Sequence, residues 1–184
     1  EFKPLTTEKA AKIIIEFKKH VPEYCRIMRI QRDVPTQQWK AGVSMTNFRQ
    51  YLFQNYDVKC NCIRCREPRG RNIAWDSIKI KVDKYKASKG TEFFISAEDT
   101  KNNILVGFIR MRFPSQQLRK EITKNSALIR ELHVYGTATA IGKEGSVQHK
   151  GIGKDLLKKA EEIAKKENKN KMVVISGVGV RQYY

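Results

Sequence analysis

Apolar residues along this chain change their spacing partway through. Between Thr7 and His20 they recur three and four apart, and Ala10, Ala11, Ile14, Ile15 and Phe17 form a broad stripe. That stripe predicts a packing helix, ended by Val21-Pro22. Arg26–Gln31 reads as a short strand, and a second helix is expected to open at Ser44, a good N-cap, and run through Phe48, Leu52 and Phe53. Beyond about residue 70 the period falls to two: Ile78, Ile80 and Val82 alternate with Lys79, Lys81 and Asp83, as in a strand with one wet face. Phe93–Ala97 and Ile104–Phe113 predict two more strands, joined through the polar turn DTKNN, and Gly107 marks a bulge or a close backbone approach. A polar connection over Arg112–Ser126 leads to a strand at Ala127–Tyr135. A helix from about Gly151 follows, with Ile152, Leu156, Ala160 and Ile163 on one face and Glu161–Lys165 and Glu162–Lys166 as pairs on the other. Lys171–Ser176 is a short apolar strand, after which GVGVRQYY opens a further segment.

Antiparallel strands followed by strand, helix, strand predict an α/β (α+β) fold with a mixed, mostly antiparallel sheet and flanking helices. The domain boundary is expected where composition shifts, giving a helical linker region over residues 1–70 and a sheet domain over 71–184.

Charge narrows the partners. With 37 Lys and Arg against 19 Asp and Glu, the net charge is +18 over 184 residues. Such an excess repels itself unless it faces a polyanion, so nucleic acid, an anionic membrane surface or a phosphorylated cofactor is the expected counterpart. No apolar run reaches the roughly eighteen residues of a membrane span, and no signal-peptide pattern opens the chain, which reads as cytoplasmic. Starting on Glu1 and ending on Tyr183-Tyr184, it reads as a fragment.

Cys60, Cys62 and Cys65 form C-x-C-x-x-C, with Cys25 alone far upstream. Crowded thiols in a reducing compartment favour a metal over disulfides, and thiolates hold zinc tetrahedrally, so a fourth ligand is required. Cys25, His20 and water are the rivals for that position, and the role reads as structural. Arg64, Arg66, Arg69 and Arg71 flank the trio; with Trp39, Phe48 and Tyr51 upstream they have the ingredients to track a phosphate backbone and stack bases, although each aromatic by itself suits a core.

Gln148, Gly151 and Gly153 stand in Q-x-x-G-x-G at the helix start, where backbone N–H groups lack partners and glycines let a diphosphate approach. Asp155 follows Lys154, so the segment is not a P-loop, and the fingerprint G-x-G-x-x-G is absent. What remains resembles the pyrophosphate loop of GCN5-related N-acetyltransferases. RIQRDVP at Arg29–Pro35, CIRCRE at Cys62–Glu67, RELHVYG at Arg130–Gly136 and VISGVGVRQYY at Val174–Tyr184 together resemble the catalytic subunit family of Elongator in its archaeal form.

That resemblance implies an acetyltransferase-like domain acting in tRNA wobble-uridine carboxymethylation. It assigns acetyl-coenzyme A to the strand edge Leu132, His133 and Val134 and to the loop Gln148, His149, Lys150, Gly151, Ile152, Gly153 and Lys154, and a role beside the thioester to Tyr183 and Tyr184. It also implies a radical S-adenosylmethionine domain with a 4Fe-4S cluster elsewhere in the family's longer chains, since C-x-x-x-C-x-x-C does not occur here. In the whole enzyme a deoxyadenosyl radical would generate an acetyl radical that adds to uridine, and thioester hydrolysis would leave a carboxymethyl group. tRNA is the implied partner, with or without other Elongator-type subunits, and no membrane. Glu131 and His133 share a strand face, where a satisfied histidine is commoner than a catalytic one. Two other readings compete: a protein lysine N-acetyltransferase, whose basic peptide would meet a basic surface, and a non-enzymatic zinc-stabilised RNA-binding module.

Overall fold

The structure, a computed structural model, describes residues 3–32, 35–136 and 151–184. The chain forms two compact units, Glu1–Arg66 and Glu67–Tyr184.

In the first unit, α1 (Thr7–Lys19) is capped by the Thr6 hydroxyl, which accepts from the Lys9 N–H. Its buried face carries Ala10 and Ala11, with Ile14 and Ile15 packed beside them. Phe17, expected on that stripe, is 59% exposed, and Lys18 turns inward instead. The reason is geometric: residue 18 lies seven after Ala11 and continues its row, whereas residue 17 falls beside it. The second helix, α2 (Phe48–Asn55), begins later than expected, with Asn47 rather than Ser44 at its N-cap position and no side-chain cap. Phe48 and Leu52 are buried against α1's cluster, and the Phe48 ring stacks on Tyr51 at 6.0 Å, so these aromatics serve the core. Arg26–Gln31 is not a strand; it finds no ladder partner among the described residues of this unit. A single turn, α3 (Ile63–Arg66), closes the unit, its entry tied by the Ile63 N–H to the Cys25 carbonyl at 2.9 Å.

The second unit is one five-stranded sheet in sequential order: β1 (Ile78–Ala87), β2 (Gly90–Asp99), β3 (Ile104–Phe113), β4 (Ser126–Val134) and β5 (Lys171–Val174). The first four are antiparallel neighbours, and β5 joins β4 in parallel through α4 (Ile152–Lys166). This is the mixed, mostly antiparallel sheet with flanking helix that the pattern predicts. Residues Phe93, Ile95, Ala97, Ile109, Met111, Ala127 and Ile129 face Ile152, Leu156, Ala160 and Ala164 of α4 in a single core. Burying that apolar stripe drives the helix onto the sheet. On the wet face of α4 the ion pair observed is Lys159–Glu162 at 3.1 Å, three apart rather than four. As the edge strand, β1 leaves Ile80 and Val82 each 37% exposed.

A buried carboxylate closes the start of the sheet. Asp99, fully buried, accepts from Ser77 Oγ (2.6 Å) and the N–H groups of Ala74 (2.9 Å), Lys101 (2.9 Å) and Asn102 (3.1 Å), and from Asn102 Nδ2 (2.8 Å). Burial alone would raise its pKa, but the Ser77, Ala74 and Asn102 donors outweigh it and hold the group well below its ordinary 3.8. A depressed carboxylate adds stability that is complete above its unfolded pKa and is lost as the pH falls through the folded value. Asp99→Asn is therefore expected to cost roughly 1–3 kcal/mol at neutral pH. Urea unfolding should show the gap from the parent shrinking as the pH is lowered from about 5 toward 2.

A candidate binding cleft and a cysteine cluster

The cleft is built by a disagreement between strands. β5 pairs with β4 only from Ser126 to Ile129, with one further bond from the Ile175 N–H to the Ile129 carbonyl at 3.0 Å. β4 runs on to Val134, so Leu132, His133 and Val134 lie beyond the β4–β5 ladder. A cleft of about 530 Å³ opens there, lined by Leu132, His133, Val134, Gly151–Lys154, Val180, Tyr183 and Tyr184. Gln148, His149 and Lys150 lie outside the described residues.

Two features suit the cleft to a diphosphate. Gly151 holds φ +82°, a left-handed geometry that L side chains rarely adopt, and it offers no side-chain cap to α4. The first intrahelical bond is from the Asp155 N–H to the Gly151 carbonyl at 3.0 Å, so the N–H groups of residues 152–154 point out of the helix start with the positive end of its dipole. Gly153 is bare for a separate reason: a Cβ there would collide with the Tyr183 hydroxyl. Gly107 lets this corner close. A Cβ on it would stand 3.0 Å from the His133 carbonyl, 3.3 Å from Val134 Cγ2 and 3.4 Å from Ile152 Cγ2. Both sequence expectations for Gly107 hold, because the β2–β3 register also shifts next to it, with Val106 as the extra residue.

A second register shift sorts the titratable groups of β4. Arg110 faces Glu131 but Met111 faces Ile129, leaving Arg130 as the extra residue. Leu132 and Val134 thereby return to the α4 side and pack against the core, and Glu131 and His133 share the opposite face. Glu131 accepts from Arg110 Nε at 2.9 Å, and the His133 ring stacks on Phe108 at 5.7 Å and meets Tyr135 edge-on at 4.5 Å. Arg110 thus holds the Glu131 carboxylate, whereas His133 contributes to the cleft lining with its ring packed on Phe108 and Tyr135.

The tyrosines come from the 3-10 turn Val178–Tyr183, and their rings meet edge-on at 5.4 Å. Burial raises both phenol pKa values above 10.0, with the neighbouring Tyr184 adding to the rise at Tyr183. Both stay protonated at neutral pH and can donate a proton. Val180, on the same turn, lines the cleft without having been expected to; it stands three before Tyr183, the spacing that puts two residues of a 3-10 turn on one face.

In the first unit, the sulfurs of Cys60, Cys62 and Cys65 all lie within 4.8 Å of one another. Hydrogen bonding from the Cys65 side chain, followed by the backbone N–H groups of Ile27 and Cys65, pulls the Cys62 thiol well below its usual value despite burial. Cys25 is not in this group, and His20 Nε2 sits 3.1 Å from Glu16 Oε1 on the exposed side of α1.

Comparisons with known proteins agree with this geometry. Residues 1–56 match the radical SAM C-terminal domain, and residues 63–184 match the acetyltransferase (GNAT) family. Over its full length the chain is 43% identical to the tRNA uridine(34) acetyltransferase of Methanocaldococcus jannaschii, covering 36% of that protein. It is 37% identical to Elongator complex protein 3 of Schizosaccharomyces pombe, again covering 36%. Among solved structures, archaeal Methanocaldococcus infernus Elp3 with an N-terminal deletion matches with a TM-score of 0.89 and 42% identity, covering all of this chain and 46% of that one. The resemblance read from the motifs holds, and the chain spans a little over a third of the length of these curated relatives.

Because the atoms nearest Gly107 include backbone, overpacking there cannot be relieved by a side-chain rotation. Gly107→Val is expected to destabilise the second unit by about 1–3 kcal/mol. Thermal unfolding should report the loss, while Gly153→Ala, which displaces only a tyrosine tip, should unfold close to the parent.

Proposed function

The chain belongs to the acetyltransferase (GNAT) family, and from that premise we propose that its second unit binds acetyl-coenzyme A for modification of tRNA wobble uridine by a longer enzyme. The observation that carries this reading is the cleft itself: the end of β4 at Leu132–Val134, beyond the β4–β5 ladder, lining one cleft with the N-terminus of α4. The Ile152, Gly153 and Lys154 N–H groups would hold the diphosphate, joined by Gln148, His149 and Lys150, and the β4 edge would hold the amide-bearing arm. The cofactor supplies an activated acetyl thioester. Tyr183 and Tyr184, protonated and in the same cleft, would each present a phenolic O–H to a developing oxyanion or a leaving thiolate. Cleavage of the thioester is thus assigned to these phenols rather than to Glu131 or His133.

The net charge of +18 supports a polyanionic substrate and disfavours a basic peptide. S-adenosylmethionine and an iron–sulfur cluster belong, on this reading, to the part of the relatives' length that this chain does not span. For Cys60, Cys62 and Cys65 we propose zinc. Sulfurs on a tetrahedral zinc stand about 3.8 Å apart, and the trio is gathered within 4.8 Å. With His20 held at Glu16, the fourth position falls to solvent or Cys25.

Calorimetry of the full-length parent with a non-hydrolysable acetyl-coenzyme A analogue tests the cleft. Gly153→Leu should weaken binding at least tenfold; unchanged affinity would overturn the assignment. Tyr183→Phe and Tyr184→Phe should leave binding within a few-fold and slow thioester cleavage by roughly 10²-fold or more in at least one variant. tRNA affinity should fall steeply between about 50 and 200 mM salt. Transfer of label from acetyl-coenzyme A to a lysine peptide in preference to tRNA would replace this reading with the lysine acetyltransferase.

A further inference from the structure

The first unit sets one buried and one half-buried cation where sulfur and one aromatic ring are the partners at hand. Lys18 is 1% exposed, its ammonium 3.7 Å from Cys65 Sγ and 5.6 Å from the centre of the Phe53 ring. Arg49 Nη2 donates to the same sulfur at 3.1 Å, its guanidinium lies 4.8 Å over Phe53, and its Nη1 is buried with no hydrogen-bond partner among the described residues. No carboxylate among the described residues pairs with either cation. Arg66 provides the contrast within the same unit: equally buried, it has the Glu23 carboxylate at 3.8 Å and carbonyls of Asn61 and Glu23 at 2.9 and 3.2 Å.

The chain spends core positions to make this arrangement. Residue 18 continues the buried row of α1, where an apolar side chain would pack. Arg49 and Phe53 stand four apart on α2, the spacing that stacks one on the other. A buried ammonium beside a half-buried guanidinium is unfavourable unless a negative charge answers them. A neutral thiol at Cys65, the sulfur that both cations touch, does not supply one. Three thiolates around a divalent metal do, carrying a net charge of −1 with a neutral fourth ligand and −2 with a fourth thiolate.

We propose that Lys18 and Arg49 are positioning residues for a thiolate-bound divalent metal at Cys60, Cys62 and Cys65, orienting Cys65 and offsetting the charge of the centre. This rests on reading the trio as a metal site. Partners of this kind set the affinity of the ligands they touch. Each cation aims a donor at the sulfur and has the Phe53 ring against it, so the sulfur's lone pairs are directed as well as neutralised.

The test uses the full chain loaded with zinc or cobalt(II). Lys18→Met and Arg49→Met should each weaken zinc binding by about 10- to 100-fold in competition with a chromogenic chelator. Each should also move the thiolate-to-cobalt charge-transfer band, and Lys18→Arg should restore most of both. Chemical unfolding separates this from simple packing. Lys18→Met should make the metal-free protein more stable, by relieving an unanswered charge, and should reduce the extra stability that zinc confers. Equal shifts with and without metal would mean a packing role and overturn the proposal. A parent that binds zinc alongside Met variants of unchanged affinity and spectrum would also overturn it, leaving the metal site standing. A parent that binds no metal would remove the metal site and this proposal with it.

Discussion

The second unit depends on one extra residue in β4. Without Arg130 as a bulge, strict alternation from Ala127 and Ile129 would send Glu131 and His133 toward α4 and turn Leu132 and Val134 away. The bulge resets the phase, so four apolar residues of β4 face the helix and both titratable groups face the other side. β5 ends its pairing at the same level, with the Ile175 N–H on the Ile129 carbonyl, and the strands part just beyond. Bulge, strand end and cleft therefore share one height in the sheet. The apolar lining that Leu132 and Val134 give the cleft comes from the core and required no separate device.

The face that receives Glu131 and His133 is organised by charge. Glu92, nearly fully buried, lies 2.5 Å from Arg112 Nη1 and 3.4 Å from Arg130 Nη2. Arg112 also donates to the carbonyls of Ala87 and Ser88, at 3.0 Å each, clamping the β1–β2 turn from β3. Arg110 spans Phe94 and Phe108 at 5.3 and 5.4 Å while holding Glu131. A chain with so large a cationic excess thus places several arginines where a carboxylate or ring answers them. The bulge residue Arg130 belongs to that network, which ties the phase of β4 to Glu92 on β2.

Much of this second unit was legible in the sequence because its elements are regular. Ile104–Phe113 matches β3 residue for residue, and the period-two run at Ile78–Val82 and the helical stripe from Ile152 each became the expected element. The cleft was legible for a different reason: Gly151 and Gly153 break a periodic pattern at a helix start, and that break carries its own physical meaning. Sequence reading did less well where tertiary partners decide. Arg26–Gln31 has strand-like composition, yet a strand forms only by pairing with another, and this segment joins no sheet among the described residues. Ser44 is a good cap in isolation, but Phe48 and Leu52 pack where α2 actually turns, and the helix starts at the packing. Val180 reaches the cleft from a 3-10 turn too short for its three-residue period to be read from sequence.

The misassigned stripe of α1 carries the most information. Hydrophobicity favours Phe17 inside and Lys18 outside, and the opposite arrangement must be held by something that hydrophobicity does not count. An amphipathic lysine can usually keep its charge in water by extending past the core, but at 1% exposure Lys18 does not. Exposing Phe17 at 59% forfeits the burial of a large ring, and burying an ammonium adds a desolvation cost in the same direction. Helix phase could relieve both by a rotation of about 100°, one residue's worth. Ala10, Ala11, Ile14 and Ile15 hold the phase against that rotation, so apolar packing along the buried row of α1 sets which residue at its end meets the cysteines. The same four side chains that build the small core therefore also deliver a cation to Cys65, and an arrangement unfavourable in a bare protein becomes coherent around an anionic centre.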